Sequence, residues 1–201
     1  RMLSAEQVSS LCQFEGKWAG GMVTPSDGCA EPFVAVPALT RAAARAGAHI
    51  IENCAVRTLE YTGGQVTGVV TEQGAINTGA VLLAGGAWSS DFAANAGFDL
   101  PQLSVRSTVG RTNPAPARDL PNVSAPGFAV RQRVDGGYTV TSADLAEHYI
   151  GPKSLKYATK FLPVLRLASK DMRLLPKPPK GYPGSWGNLR GWRGDEQSPF
   201  E

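Results

Sequence analysis

The run Val81-Leu82-Leu83-Ala84-Gly85-Gly86-Ala87-Trp88-Ser89, with what precedes it, constrains this chain most. Ala80 to Ala84 is wholly apolar, the pattern of a strand buried on both faces of a parallel sheet. Gly85-Gly86 closes it as a turn, and Trp88 to Ala96 reads as a helix stopped by Gly97. Three short alternating segments come just before. Val56 to Thr62 ends at Gly63-Gly64, Gln65 to Thr71 at Gln73-Gly74, and Ala75 to Thr78 at Gly79. The hairpin rules predict a three-stranded antiparallel meander there.

Upstream, Ser4 to Phe14 reads as a short helix, with Ser4 as N-cap and Gln7 three residues on. A clearer helix is expected from Pro37, which suits a first helical position. Val36, Leu39, Ala43 and Ala46 share one face, Arg41 and Arg45 form an exposed pair, and Gly47 is the stop. Ala48-His49-Ile50-Ile51 has the look of a short buried strand. Downstream, Leu103 to Thr112 has strand character, and Pro114, Pro116, Pro121 and Pro126 mark a long loop. Phe128 to Val134 and Tyr138 to Thr141 flank Asp135-Gly136-Gly137, a hairpin signal. Leu155 to Met172 is helical in composition, with Pro163 expected to kink or split it. From Leu174 to Glu201 the Pro, Gly and Trp content predicts an irregular tail.

With 201 residues, 42% apolar and 18% charged, the chain reads as globular rather than disordered. No apolar run is long enough for a membrane span. Cys12, Cys29 and Cys54 are an odd, scattered set with no Cys-x-x-Cys pair, so a reducing, cytoplasmic setting is expected. The net charge of +3 is uneven: Lys153, Lys156, Lys160, Arg166, Lys170, Arg173, Lys177 and Lys180 face Asp171 alone between residues 151 and 180. No nucleic-acid motif accompanies them, and the expectation is a solvated helix face followed by a Pro-rich loop. His49 is expected to be structural in its buried strand, and His148 to lie solvated in a loop, the alternative being that it faces substrate. Two distant histidines give no metal site. No Ser/His/Asp or Cys/His grouping stands out.

The order of helix, strand, meander, buried strand and Gly-Gly turn resembles the later half of an FAD-binding Rossmann-like domain. There a final apolar strand delivers a glycine-rich turn that a dinucleotide can approach closely. The sequence resembles the D-amino-acid oxidase superfamily, with glycine oxidase, sarcosine oxidase and opine oxidase-like dehydrogenases. Four stretches carry the likeness: Gly20 to Gly28; Val36 to Leu39 with Arg41 to Gly47; Asn53 to Val56 with Gly64 to Val69; and Leu82 to Ser89. The good match runs from about Gly20 to Ser90, and beyond Leu100 it is one of pattern only.

The resemblance implies that Val56 hydrogen-bonds adenine through its backbone. It places Ala84, Gly85 and Gly86 along the adenosine and pyrophosphate side of FAD, with Ala87 and Trp88 near the flavin. Arg111, Arg131 and Tyr138 lie in the implied substrate region, where an arginine suits a substrate carboxylate. No catalytic residue is assigned. The family's opening Gly-x-Gly-x-x-Gly is missing, as are its late Arg-Pro segment and last glycine-rich turn.

The expectation is therefore an α+β internal fragment. Residues 36–98 form the later part of the FAD domain. Residues 1–35 and 99–201 belong to a substrate domain built on an antiparallel sheet with helices. The implied reaction of the full-length protein is oxidation of an amine carbon of an amino acid or opine-like secondary amine to an imine. The fragment alone is expected to be colourless and inactive. Partners would be the small substrate and the remainder of the chain or a subunit. The strand Ala80 to Ala84, deprived of parallel neighbours, is expected to find a substitute such as a second copy. The alternative is a non-enzymatic partner-binding domain without a cofactor of its own.

Overall fold

A computed structural model describes residues 1–12, 14, 16–116, 120–142, 145–167, 170–179 and 181–185. The end of the predicted irregular tail, 186–201, lies outside the described residues. The chain is mixed α and β. In order come β1 (Met2–Leu3), α1 (Ala5–Cys12), β2 (Gly21–Met22), α2 (Pro32–Arg45), β3 (Val56–Thr62), β4 (Gln65–Thr71) and β5 (Gly74–Asn77). A single 3-10 turn, Gly86–Trp88, leads into α3 (Ser89–Asn95). Then follow β6 (Val109–Arg111), β7 (Val123–Ala125), β8 (Phe128–Gln132), β9 (Tyr138–Thr141), β10 (Ala146–Tyr149), α4 (Pro152–Lys156), α5 (Ala158–Leu167) and β11 (Met172–Leu175).

The chain divides into two compact units, residues 1–50 with 107–145, and residues 51–106 with 146–201. In the first, β1 pairs antiparallel with β2, and a four-stranded antiparallel sheet has the order β6-β9-β8-β7. The capping box at α1 is present. The Gln7 N–H donates to the Ser4 hydroxyl (3.3 Å) and the Ser4 N–H to the Gln7 side-chain oxygen (2.9 Å). Hairpin β8-β9 turns at Asp135-Gly136-Gly137, where Gly136 has φ 82° and the Asp135 carboxylate accepts the Gly137 N–H at 3.1 Å.

The helix expected from Pro37 begins earlier, at Pro32. Glu31 is extended in front of it, and Pro32 sits where a missing N–H leaves no bond unmade. Pro37 lies inside the helix, a position that normally costs about 3 kcal/mol. The Phe33-Val34-Ala35-Val36 turn before it is helical all the same, so a Pro suited to N1 was not the N1 residue. The stop is as expected: Gly47 has φ 95°, its N–H reaches Ala44 O (3.0 Å), and the Ala48 N–H reaches Ala43 O (3.0 Å). This is the paired bonding of a Schellman end.

In the second unit, β3-β4-β5 is the predicted antiparallel meander, with boundaries within a residue or so of those expected. Gly63 and Gly64, both at positive φ (59° and 82°), make the two-residue turn between Thr62 and Gln65. The parallel pair β10-β11 was not foreseen. It is joined by α4 and α5, the crossover that parallel strands require. The helical region breaks at Tyr157, which is buried, and not at Pro163, which lies within α5.

Two expected buried strands are absent. Ala48 to Ile51 is irregular and exposed, so His49 does not sit in a buried strand. Ala80 to Ala84 makes no ladder, and Leu82 is 92% exposed. An apolar run becomes a buried strand only when neighbours satisfy its peptide groups and cover its faces. Among the described residues no strand pairs with either segment. For the same reason α2 has no buried residue, although Val36 and Leu39 lie on its apolar face.

Candidate functional site

The proposed cofactor residues all lie in the second unit. Val56 opens β3, the edge strand of the meander. The Glu72 N–H donates to Ala55 O at 3.1 Å, and Val56 sits opposite Thr71. Bonded and non-bonded pairs alternate along an antiparallel ladder, so the N–H and C=O of Val56 turn toward the open edge of the sheet. An adenine edge needs a backbone donor and acceptor displayed in that way.

The turn after Ala84 has a similar fit. Gly86 adopts φ 55°, in the left-handed region, and a Cβ built on it meets nothing within 4 Å. Gly85 N-caps the 3-10 turn, and the Trp88 N–H closes it on Gly85 O at 3.1 Å. Gly86 O accepts the Gln102 side-chain amide at 3.0 Å. The result is an anchored, side-chain-free corner, which suits close approach by a pyrophosphate. Ala87 and Trp88 form part of the wall of an open groove of about 330 Å³, completed by Val105, Arg106, Tyr182 and Pro183 among others.

Behind that corner lies a polar network that sequence reasoning missed. The Lys153 ammonium is 2.5 Å from one Asp91 carboxylate oxygen and donates to the Ser90 hydroxyl at 2.7 Å. Ser90 in turn donates to Leu100 O (2.7 Å), and the Gly184 N–H donates to the other Asp91 oxygen (2.8 Å). The side chains of Lys153 and Asp91 are only 8% and 3% exposed. Lys153 therefore does not belong to a solvated helix face, as the run of basic residues had suggested. A buried pair of this kind gains little net stability, yet removing one partner typically costs about 3–5 kcal/mol.

His148 also departs from expectation, being buried in β10 rather than exposed in a loop. Its Nδ1 lies 2.8 Å from Ser104 O, which can only accept, so Nδ1 carries the proton. Its Nε2 lies 2.9 Å from the Ser154 hydroxyl, and Ser154 Oγ accepts the Gly151 N–H (3.0 Å). Tyr182 donates a second bond to Ser104 O at 2.9 Å, and its ring meets Tyr149 edge-on at 4.8 Å. Burial pushes the Tyr182 phenol up from its usual value. At the edge of this unit, hydrogen bonds from the Lys156 ammonium and then the Tyr157 hydroxyl, each 2.5 Å, hold the Asp99 carboxyl below its usual range.

The three substrate candidates lie in the first unit's sheet. Arg111 and Arg131 both pair in register with Thr139, so they stand in one cross-strand row on one face. Tyr138, one residue along β9, faces the other side, and its hydroxyl donates to Pro116 O at 3.3 Å. Arg131 bonds Glu31 (3.2 Å) and Ala30 O (3.1 Å) ahead of α2. Arg111 lies 4.6 Å over the Phe33 ring and pairs with Asp135 at 3.3 Å, and about half of its side chain stays exposed. The structure thus brings the two arginines together and separates the tyrosine from them.

A meander followed by an anchored, open Gly-Gly corner is the arrangement expected on the cofactor side of an FAD-binding fold, and the family match is to such a class of protein. The chain belongs to the FAD dependent oxidoreductase family, whose model matches residues 1–181. It is similar to 4-methylaminobutanoate oxidase (formaldehyde-forming) of Paenarthrobacter nicotinovorans, 41% identical over 83 residues, which are 41% of this chain and 10% of that protein. It is also similar to mitochondrial sarcosine dehydrogenase of Mus musculus, 33% identical over 123 residues, 58% of this chain and 13% of that one. Among solved structures, L-amino acid deaminase from Proteus myxofaciens in complex with anthranilate matches with a TM-score of 0.84 and 31% identity. That match covers all of this chain and 44% of the deaminase. The chain therefore spans less than half the length of these relatives. No helix among the described residues is long and apolar enough to cross a membrane.

Proposed function

We propose that this chain supplies one side of the FAD site, and part of the substrate-binding layer, of an enzyme that oxidises the amine carbon of an amino acid or secondary amine. The observation that carries this is the open Gly86 corner at the end of the predicted meander, in a chain whose family uses FAD. On this reading Val56 holds adenine through its edge-facing backbone. Ala84, Gly85 and Gly86 let the pyrophosphate side approach, and Ala87 and Trp88 face the flavin end. Bound FAD supplies the two-electron acceptor, and the resulting imine is hydrolysed by water.

The protein's own work is positioning. On this reading residues 36–98 belong to the FAD domain in a Rossmann-like arrangement and residues 1–35 and 99–201 to the substrate domain, a functional division that cuts through α2 and does not follow the two compact units. Of the substrate candidates, Arg111 suits a carboxylate best. Its guanidinium is half exposed, whereas Arg131 is committed to Glu31 and Ala30. Tyr138 would act from the opposite face. The exposed Ala80-to-Ala84 run would pair with the rest of the protein or with a second copy, in a cytoplasmic setting.

The test is direct. The intact protein is purified and its visible spectrum recorded, and dye reduction is assayed with a panel of amino acids, N-methyl amino acids and opines. A yellow protein that reduces dye with one of these supports the reading. A colourless protein overturns it. The isolated 201 residues are expected to be colourless and inactive.

A further inference from the structure

We propose that Lys153 is a positioning residue for the cofactor corner, an inference that rests on the functional reading above. The 3-10 turn Gly86–Trp88 and α3 are contiguous, so the corner goes wherever the first turn of α3 is held. That turn is held from three directions. Lys153 of α4 reaches Asp91 and Ser90, Leu100 receives the Ser90 hydroxyl, and the Gly184 N–H takes the second Asp91 oxygen. A fourth tie, from Gln102, is made to Gly86 O itself.

Lys153 is the hub, because one ammonium binds both adjacent residues of α3 and satisfies the one full negative charge buried there. An apolar pair would fill the space equally well, but it would not fix the direction of the turn. Directional hydrogen bonds do so, and a glycine-rich corner has no side chains of its own with which to do it. The network lies outside the set of residues that would touch FAD, so its effect reaches the cofactor through Gly85 and Gly86.

The test uses the intact protein with FAD removed and then titrated back. In the variant Lys153→Met/Asp91→Asn both charges are lost together, while the Asn oxygen still accepts the Gly184 N–H. The expected result is an apoprotein melting midpoint within about 4 °C of the parent. FAD dissociation constants should rise about ten- to a hundredfold, as for a misplaced binding group. The bound flavin's visible band should also shift. Lys153→Arg, which keeps the charge, should recover most of the affinity.

An unchanged FAD affinity and spectrum in the double variant overturns the proposal. So does a loss of affinity that only tracks a fallen melting midpoint. Should the double variant not fold, Ser90→Ala gives the same comparison with one hydroxyl removed. Weaker FAD binding then supports the proposal and unchanged binding overturns it. A parent protein that binds no FAD overturns the functional reading and this inference together. A yellow parent with unaffected variants overturns this inference alone.

Discussion

The Ser104 carbonyl offers a sharp energetic test. It accepts two hydrogen bonds, from His148 Nδ1 at 2.8 Å and from the Tyr182 hydroxyl at 2.9 Å. Tyr182→Phe removes one neutral bond and keeps the ring against Tyr149, so the expected cost is about 1 kcal/mol. His148→Leu loses the bonds to Ser104 and Ser154 at a position 5% exposed, and about 2 kcal/mol is expected. Each single variant leaves the Ser104 oxygen with one partner. The double variant removes both, and an orphaned acceptor adds about 1–2 kcal/mol more. The prediction is thus a double loss of about 4–5 kcal/mol, above the sum of the singles. Urea unfolding of the intact apoprotein, followed by tryptophan fluorescence, measures it, provided the m-value is unchanged among the variants. A coupling energy below about 0.5 kcal/mol would refute the shared-acceptor argument.

Gly86→Ala meets no steric obstacle but places a side chain at φ 55°, so about 1–2 kcal/mol of stability should be lost. FAD titration should show a larger effect than melting does. In Gly68→Ala the new Cβ would stand 2.8 Å from Ile76 O and 2.7 Å from a Glu60 oxygen. Crowding against backbone should cost about 1–3 kcal/mol and open the β4-β5 ladder, which amide exchange reads directly. The Asp99 carboxyl is held below its usual range, so its partners stabilise the fold above the usual carboxylate value. That contribution disappears as pH falls through the depressed one. Acid melting curves of the parent and Asp99→Asn should therefore differ at neutral pH and converge as the pH falls below the usual carboxylate range.

Local features were legible in the sequence where one short segment decides the outcome. Two-residue Gly-Gly punctuation and period-two alternation located the meander, and Gly47 and Gly97 located helix ends. The family and its cofactor were legible from stretches that include the glycine corner. What failed was long-range in origin. Pro37 looked like a helix start because nothing local says that Pro32 is the better one. Ala80 to Ala84 has the composition of a buried strand, but composition does not supply the neighbours that make one. The pair β10-β11 joins Ala146-Glu147-His148-Tyr149 to Met172-Arg173-Leu174-Leu175, segments with little alternation whose match depends on the crossover between them. Lys153 looked solvated because its counter-charge, Asp91, is remote in sequence.

The bare Ala80-to-Leu83 segment has a consequence for the life of the polypeptide. An apolar, unpaired stretch without charge, with Leu82 open to water, has the features that holdase chaperones bind and that seed intermolecular sheets. If the rest of the protein or a second copy covers these residues, as proposed above, any period before that, on the ribosome or after partial digestion, is a period of exposure to both fates. The yield of soluble protein should therefore depend on how quickly this segment is covered, and so on the timing of synthesis as much as on the final fold.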